Sequence, residues 1–245
     1  MDNDDFIDIE PWATPEIAGH LVAQVTLGRR GLIETDQESD VFERETDRFE
    51  LEAWARLELA SWLRESQFRI LDQPLGNLST EQLETANDGL VIGSTLGWAL
   101  YLVNVGSLPM QSDGSAEMGL LEWSPTPWTP VRNVVKALKI RTDDALAAER
   151  ERWELIHWRS MLFTEEETAT EDREALLETV EELRELGSIP TAGNDLALDS
   201  GEPFSNLSAD ALFEIQHMAE VRLRALNWVC GFGESPDTAP LDLDD

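Results

Sequence analysis

The stretch 89-GLVIGSTLGWALYLVNVGSLPMQS-112 decides how the rest of the chain is read. It carries no charged residue, and Gly93 with Gly97 forms a G-x-x-x-G pattern, so its length and apolarity suit a transmembrane span. Its surroundings do not. Asp88 and Asp113 bound it, no Lys or Arg stands between Arg69 and Arg132, and Ser94, Thr95, Asn104 and Pro109 lie inside it. A span would need basic anchors on one side. The stretch is therefore read as a buried central helix at 89–105, its glycines allowing another helix to approach closely.

Working outward, apolar residues recur with helical spacing on both sides, without sustained strand alternation or an internal repeat. In "TPEIAGHLVAQVTLGRRG" Pro15 sits at a helix start, Ile17, Leu21 and Val25 form a stripe, and Gly28 and Gly31 are read as the stop. Leu51, Trp54, Ala55, Leu59, Trp62 and Leu63 share one face of a long helix from 43 to 70, with Asp47 and Glu50 spaced as a capping box. Ser79 with Gln82 reads as the cap of the next helix.

Residues 106–130, with glycines, prolines, Trp123 and Trp128, read as the longest loop. A short helix at "VRNVVKALKIR", a helix through "DDALAAERERWELIHWRSML", and an acidic helix capped by Thr168 and Glu171 and stopped by Gly187 come next. After a second loop at 188–207, Ser208 caps a closing helix at 208–230. "ESPDTAPLDLDD" reads as a loose tail. The expectation is an all-α fold: a single mostly helical domain with a buried central helix, an acidic surface and two long loops. It divides into an acidic N-terminal segment with one helix (1–40), a helical domain (41–233) and the tail (234–245).

Charge narrows the function. The chain has 50 acidic and 18 basic residues among 245, a formal net charge of −32, which opposes binding to nucleic acid backbones and anionic membranes. Only Lys136 and Lys139 among the basic residues are lysine. Acidic excess with scarce Lys fits a protein living in molar salt, where the Debye length falls to ~3 Å; a GC-rich genome also favours Arg over Lys. Mimicry of DNA is disfavoured because the carboxylates sit on ordinary helix faces. An acidic N-terminus without an apolar stretch argues against export, and the lone Cys230, read as a small buried residue, fits a reducing cytoplasm.

Signatures of chemistry are sparse: no phosphate-cradling glycine loop, nucleophile elbow, H-E-x-x-H or paired cysteines. His20, His157 and His217 fall on three helices. A metal site from His157, His217 and Glu154 or Glu220 is therefore not expected, nor is a cofactor. Two clusters stand out, "WELIHWRS" with Trp153, His157, Trp158 and Arg159, and "VRLRALNWVCG" with Arg222, Arg224, Asn227, Trp228 and Cys230.

With "VIGSTLGWALYLVNVGSLP" and "GEPFSNLS", these segments come in the order found in the bacterial domain of unknown function 4272 family, which the chain resembles over roughly residues 50–233. "RALNWVCG" is the most specific piece. Arg222, Asn227 and Trp228 match the family pattern, whereas Val221 and Leu223 stand in place of its Glu and His, Glu202 replaces a Lys, and the Trp-Asp tail motif is missing. The resemblance implies a mostly helical cytosolic domain and assigns no reaction.

Arg222 and Arg224, two apart on a helix, point to different faces. The "IHWRS" and "RALNW" helices are expected to pack together, with Arg222 and Arg159 turned inward onto carboxylates or carbonyls and stacked on Trp158 or Trp228. The functional expectation is a soluble, non-enzymatic interaction or accessory protein. The alternative is a ligand-binding domain or enzyme with an anion-accepting pocket near His157, Arg159 and Arg222. A protein partner or a small anionic ligand is expected; nucleic acid and membrane are not.

Overall fold

The computed structural model describes residues 9–135, 138–162 and 170–243. Its elements are α1 (Thr14–Thr35), α2 (Val41–Glu58), α3 (Glu65–Asp72), α4 (Thr80–Ala99), α5 (Ser115–Trp123), α6 (Arg132–Val135), α7 (Asp143–Met161), α8 (Thr170–Leu186), the two-residue strands β1 (Thr191–Ala192) and β2 (Asp195–Leu196), and α9 (Ala209–Val229). The fold is a mostly helical single domain; β1 and β2 form a small antiparallel hairpin inside the second long loop.

The uncharged stretch supplies the second half of α4, which packs along α1 and against α9. Both α1 and α4 are central: α1 is buried on every side from Ile17 through Gly28, and α4 from Ile92 through Ala99. Glycine sets how near they come. A Cβ on Gly89 would lie 2.5 Å from the Gln24 carbonyl oxygen, and one on Gly28 would lie 2.3 Å from the Leu90 side chain. The expected G-x-x-x-G is displaced by one turn, since Gly89 and Gly93 face α1 whereas Gly97 backs onto Leu120 of α5. Gly28 and Gly31 do not stop α1, which runs on to Thr35. Close backbone approach offsets the roughly 1 kcal/mol that glycine costs inside a helix. Among the described residues, no helix is long and apolar enough to cross a membrane.

Other boundaries also differ from expectation. The single helix at 43–70 is two helices. Asp40 caps α2 by accepting from the Phe42 and Glu43 amides, so the Asp47–Glu50 pair lies mid-helix; α3 restarts where the Gln67 side chain accepts the Arg64 N–H. α4 stops at Ala99, short of 105, because Tyr101 adopts φ +59° and the Leu102 and Tyr101 amides fold back onto the Gly97 and Trp98 carbonyls, the αL helix stop usually taken by glycine. The first long loop contains α5. The Ser79–Gln82 and Ser208 caps are present, while the Thr168–Glu171 cap, Lys136 and residues 1–8 lie outside the described residues.

Arginines tie the helix ends together. Carbonyls at the end of α1 accept from Arg44, those of α3 from Arg48, those of α4 from Arg141 and those of α5 from Arg29. Each guanidinium comes from another element and meets carbonyls at a helix end, where intrahelical donors run out. The termini are also drawn in. The Glu10 and Trp12 amides bond the last carbonyls of α9, and the segment expected to be a loose tail is held by Arg224 on the Ala239 carbonyl and Asn227 on the Pro240 carbonyl. Thus α1 of the N-terminal segment lies in the centre of the core, and the tail is docked on α9.

Candidate functional site

The "IHWRS" segment ends α7 and "RALNW" ends α9, and these two helices pack against each other. On α7 the buried positions are Leu146, Glu149, Arg150, Arg152, Trp153, Ile156, Arg159 and Ser160. Charged residues thus fall on the apolar period of the helix, and each has a partner. Glu149 accepts from the Leu108 amide at 2.9 Å and the Trp153 indole at 2.8 Å, while Arg152 donates to the Leu108 carbonyl at 2.8 Å.

Arg222 enters this network from α9. It is 1% exposed, its Nη1 donates to the Pro109 carbonyl at 2.6 Å, and its guanidinium lies 4.6 Å from the Trp153 ring centroid. Burial pulls its pKa down to about 10, against the opposing pull of Glu117 and Glu149. The expected aromatic partners were Trp158 or Trp228; the observed one is Trp153, a helical turn before His157. Together with the Met110 amide on Asp199, these contacts latch the loop after α4 onto α7 and α9.

Arg159 serves a different junction. It makes a two-pronged pair with Asp195 of β2, 2.6 and 2.8 Å, and Asp195 also accepts the Ser205 amide at 2.8 Å. The hairpin and the turn after it are thereby clamped to α7. Asn227, fully buried, accepts from Arg150 at 2.8 Å and donates to the tail at Pro240. Trp228 stacks on Trp12 and meets the edge of His20 across the core. His157 and Trp158 are half-buried. Burial lowers the His157 pKa, with Glu220 acting in the opposite direction.

Among the described residues, the six signature residues therefore occupy separate junctions. Arg159 and Arg222 are sealed, so an anion would have to displace Asp195 or the Pro109 carbonyl to reach them. His217 pairs with Asp88 at 2.8 Å, far along the chain from His157, and no cluster of three metal-ligating side chains occurs among the described residues. No family model, curated protein or solved structure matches this chain. The residues that sequence reasoning missed are Glu149, Arg152 and Asp195. For the first two a signal existed, because they continue the helical spacing of Leu146, Trp153 and Ile156.

Proposed function

We propose that the chain is a non-enzymatic cytoplasmic interaction domain whose recognition surface is the outward face of α2. The observation that carries this is the exposure of Phe42 at 81%, Phe49 at 60% and Leu57 at 71%. At about 100° per residue, Phe42 and Phe49 lie almost in line, opposite the face that buries Leu51, Trp54 and Ala55. Aromatic side chains seven apart on one helix match the spacing by which a partner helix is gripped. Glu43, Asp47 and Glu50 neighbour them in sequence, so the complementary partner is a basic amphipathic helix of another protein. A second copy of this chain would bring like charge to like charge.

The sealed signature supports the same reading, because Arg159, Arg222 and Asn227 are engaged in holding loops and tail. Membership in the domain of unknown function 4272 family is part of the proposal and rests on the "RALNWVCG" segment. The test uses a synthetic amphipathic Leu/Lys peptide and a scrambled peptide of equal charge, titrated against the purified chain and its Phe42→Ser/Phe49→Ser variant. Binding of the amphipathic peptide alone, lost in the variant, is expected. Equal affinity for the scrambled peptide, or no loss in the variant, would reduce the interaction to bulk charge and overturn the reading.

A further inference from the structure

On the side of α9 that carries Val221 and Arg224, away from the α2 face, a cleft of about 670 Å³ opens between α1, α3, α4, α9 and the docked tail. That volume lies in the range of small-molecule sites, about 300–1,000 Å³. Three ion pairs stand in its wall: Arg64 with Asp237, Arg224 with Glu220 at 2.9 Å, and His217 with Asp88 at 2.8 Å. Arg69 and Glu81 add one charge of each sign. In a chain of net charge −32, this wall is close to electrically balanced.

Gln24 of α1 also lines the cleft. It is 1% exposed, and its side-chain amide nitrogen is buried without an acceptor. A buried amide donor left unpaired is costly, and here it sits beside a cavity from which an acceptor could be supplied. Gln67, 2% exposed, is by contrast satisfied, donating to Asp237 at 3.0 Å and accepting from the Arg64 amide.

We infer that this cleft is a binding site for a small zwitterion of the amino-acid or short-peptide class, whose carboxylate faces the arginines and the Gln24 amide while its ammonium faces the carboxylates. A purely anionic ligand meets four wall carboxylates and the field of the whole chain, and a purely cationic one meets three arginines. A zwitterion replaces both halves of a wall ion pair with no change in net charge. The apolar part of the wall is aliphatic, Ile70, Ile92 and Val221, so it offers no aromatic face of the kind on which a sugar ring stacks. The ligand class follows from the balance of the wall and does not depend on the α2 proposal.

The test is thermal shift and calorimetric titration of the full chain with L-glutamine, glycylglycine and glycyl-L-glutamine. Citrate, putrescine and trehalose serve as anionic, cationic and neutral comparators. Saturable stabilisation by at least one zwitterion, absent with the comparators, is expected. Gln24→Met fills the same space without the stranded donor; it should keep or raise the melting temperature of the free chain while weakening zwitterion binding about tenfold, the scale of one lost hydrogen bond. No response to any of the three zwitterions, or an equal response to citrate, would overturn the inference. So would zwitterion binding unchanged in Gln24→Met.

Discussion

Removing the Asp195 carboxylate by Asp195→Ala takes the two-pronged acceptor from a guanidinium that is almost sealed: the Arg159 and Asp195 side chains are 3% and 8% exposed. The Ser205 amide loses its acceptor in the same step. Breaking one side of a buried ion pair costs roughly 3–5 kcal/mol. For a chain of this size each kcal/mol moves the melting temperature by about 2–4 °C, so a fall of roughly 6–20 °C is expected in thermal denaturation followed by circular dichroism. Replacing both partners, Arg159→Met with Asp195→Leu, removes the buried charge together with its carboxylate and leaves the Ser205 amide without its acceptor, which costs roughly 1–3 kcal/mol. The double variant should therefore be more stable than Asp195→Ala, a non-additivity that a double-mutant cycle reads directly. A single variant melting with the wild type would refute the structural role given to Arg159. So would a double variant as unstable as the sum of the two single changes.

Gly89→Ala drives a Cβ into the Gln24 backbone, 2.5 Å from its carbonyl oxygen, and should destabilise by about 1–3 kcal/mol. Gly119→Ala, on α5 with nothing within 4 Å of the added carbon, should stabilise by about 0.4–1 kcal/mol; urea titration distinguishes the two signs. The hydrogen bond to Asp88 raises the His217 pKa, so its contribution is complete below the unfolded value of about 6.5 and is lost as pH rises through the folded one. The stability advantage of wild type over His217→Gln should accordingly shrink from pH 6 to pH 8, and a constant difference would count against the pairing. Burial pushes the Cys230 thiol up to about 12, so it should resist iodoacetamide at pH 8 until the chain unfolds. If acidity is an adaptation to salt, the melting temperature should climb steeply from ~0.1 M to ~2 M KCl, and a flat profile would rule that out.

Helix content was legible because apolar spacing and caps are local: Ser79–Gln82 and Ser208 need only a few residues to declare themselves. The glycines were not legible in the same way. A glycine that stops a helix and one that admits a neighbouring helix look alike in sequence, and only the position of α4 shows that Gly28 belongs to the second kind. The break between α2 and α3 was hidden because Leu59, Trp62 and Leu63 continue the apolar period through it. At the signature, the inward turn of Arg222 followed from its helical position beside Ala219, Leu223 and Leu226. Its acceptor on Pro109 and the Arg159 acceptor on Asp195 are distant along the chain, and helical spacing carries no information about them. Expecting Trp158 or Trp228 as the stacking partner gave weight to residues adjacent in the motif, when the residue one turn earlier, Trp153, is the one that α9 meets.

The disposition of arginine also bears on why lysine is nearly absent from the chain. Arg29 reaches the Leu121, Ser124 and Pro125 carbonyls, Arg141 the Trp98 and Val105 carbonyls, and Arg44 those of Ile33 and Glu34. Spanning two or three oxygens at a helix end requires the flat, forked guanidinium; an ammonium is a point donor with a tightly held hydration shell. Arg141 in addition lies over both Trp98 and Tyr101, at 4.4 and 4.5 Å, which holds the unusual backbone of Tyr101 in place. A preference for arginine thus has a cause inside the molecule, independent of habitat or genome composition. It has an electrostatic consequence as well. Arg30, Arg150, Arg152, Arg159 and Arg222 are buried, while the buried carboxylates among the described residues are Glu117, Glu149 and Asp195. Cations are withdrawn from the surface faster than anions, so the exterior is at least as acidic as the composition implies. On the reading of α2 proposed above, a partner helix would meet that field before it meets Phe42 and Phe49, so that charge would select a basic partner at the encounter and the aromatic pair an amphipathic one at docking.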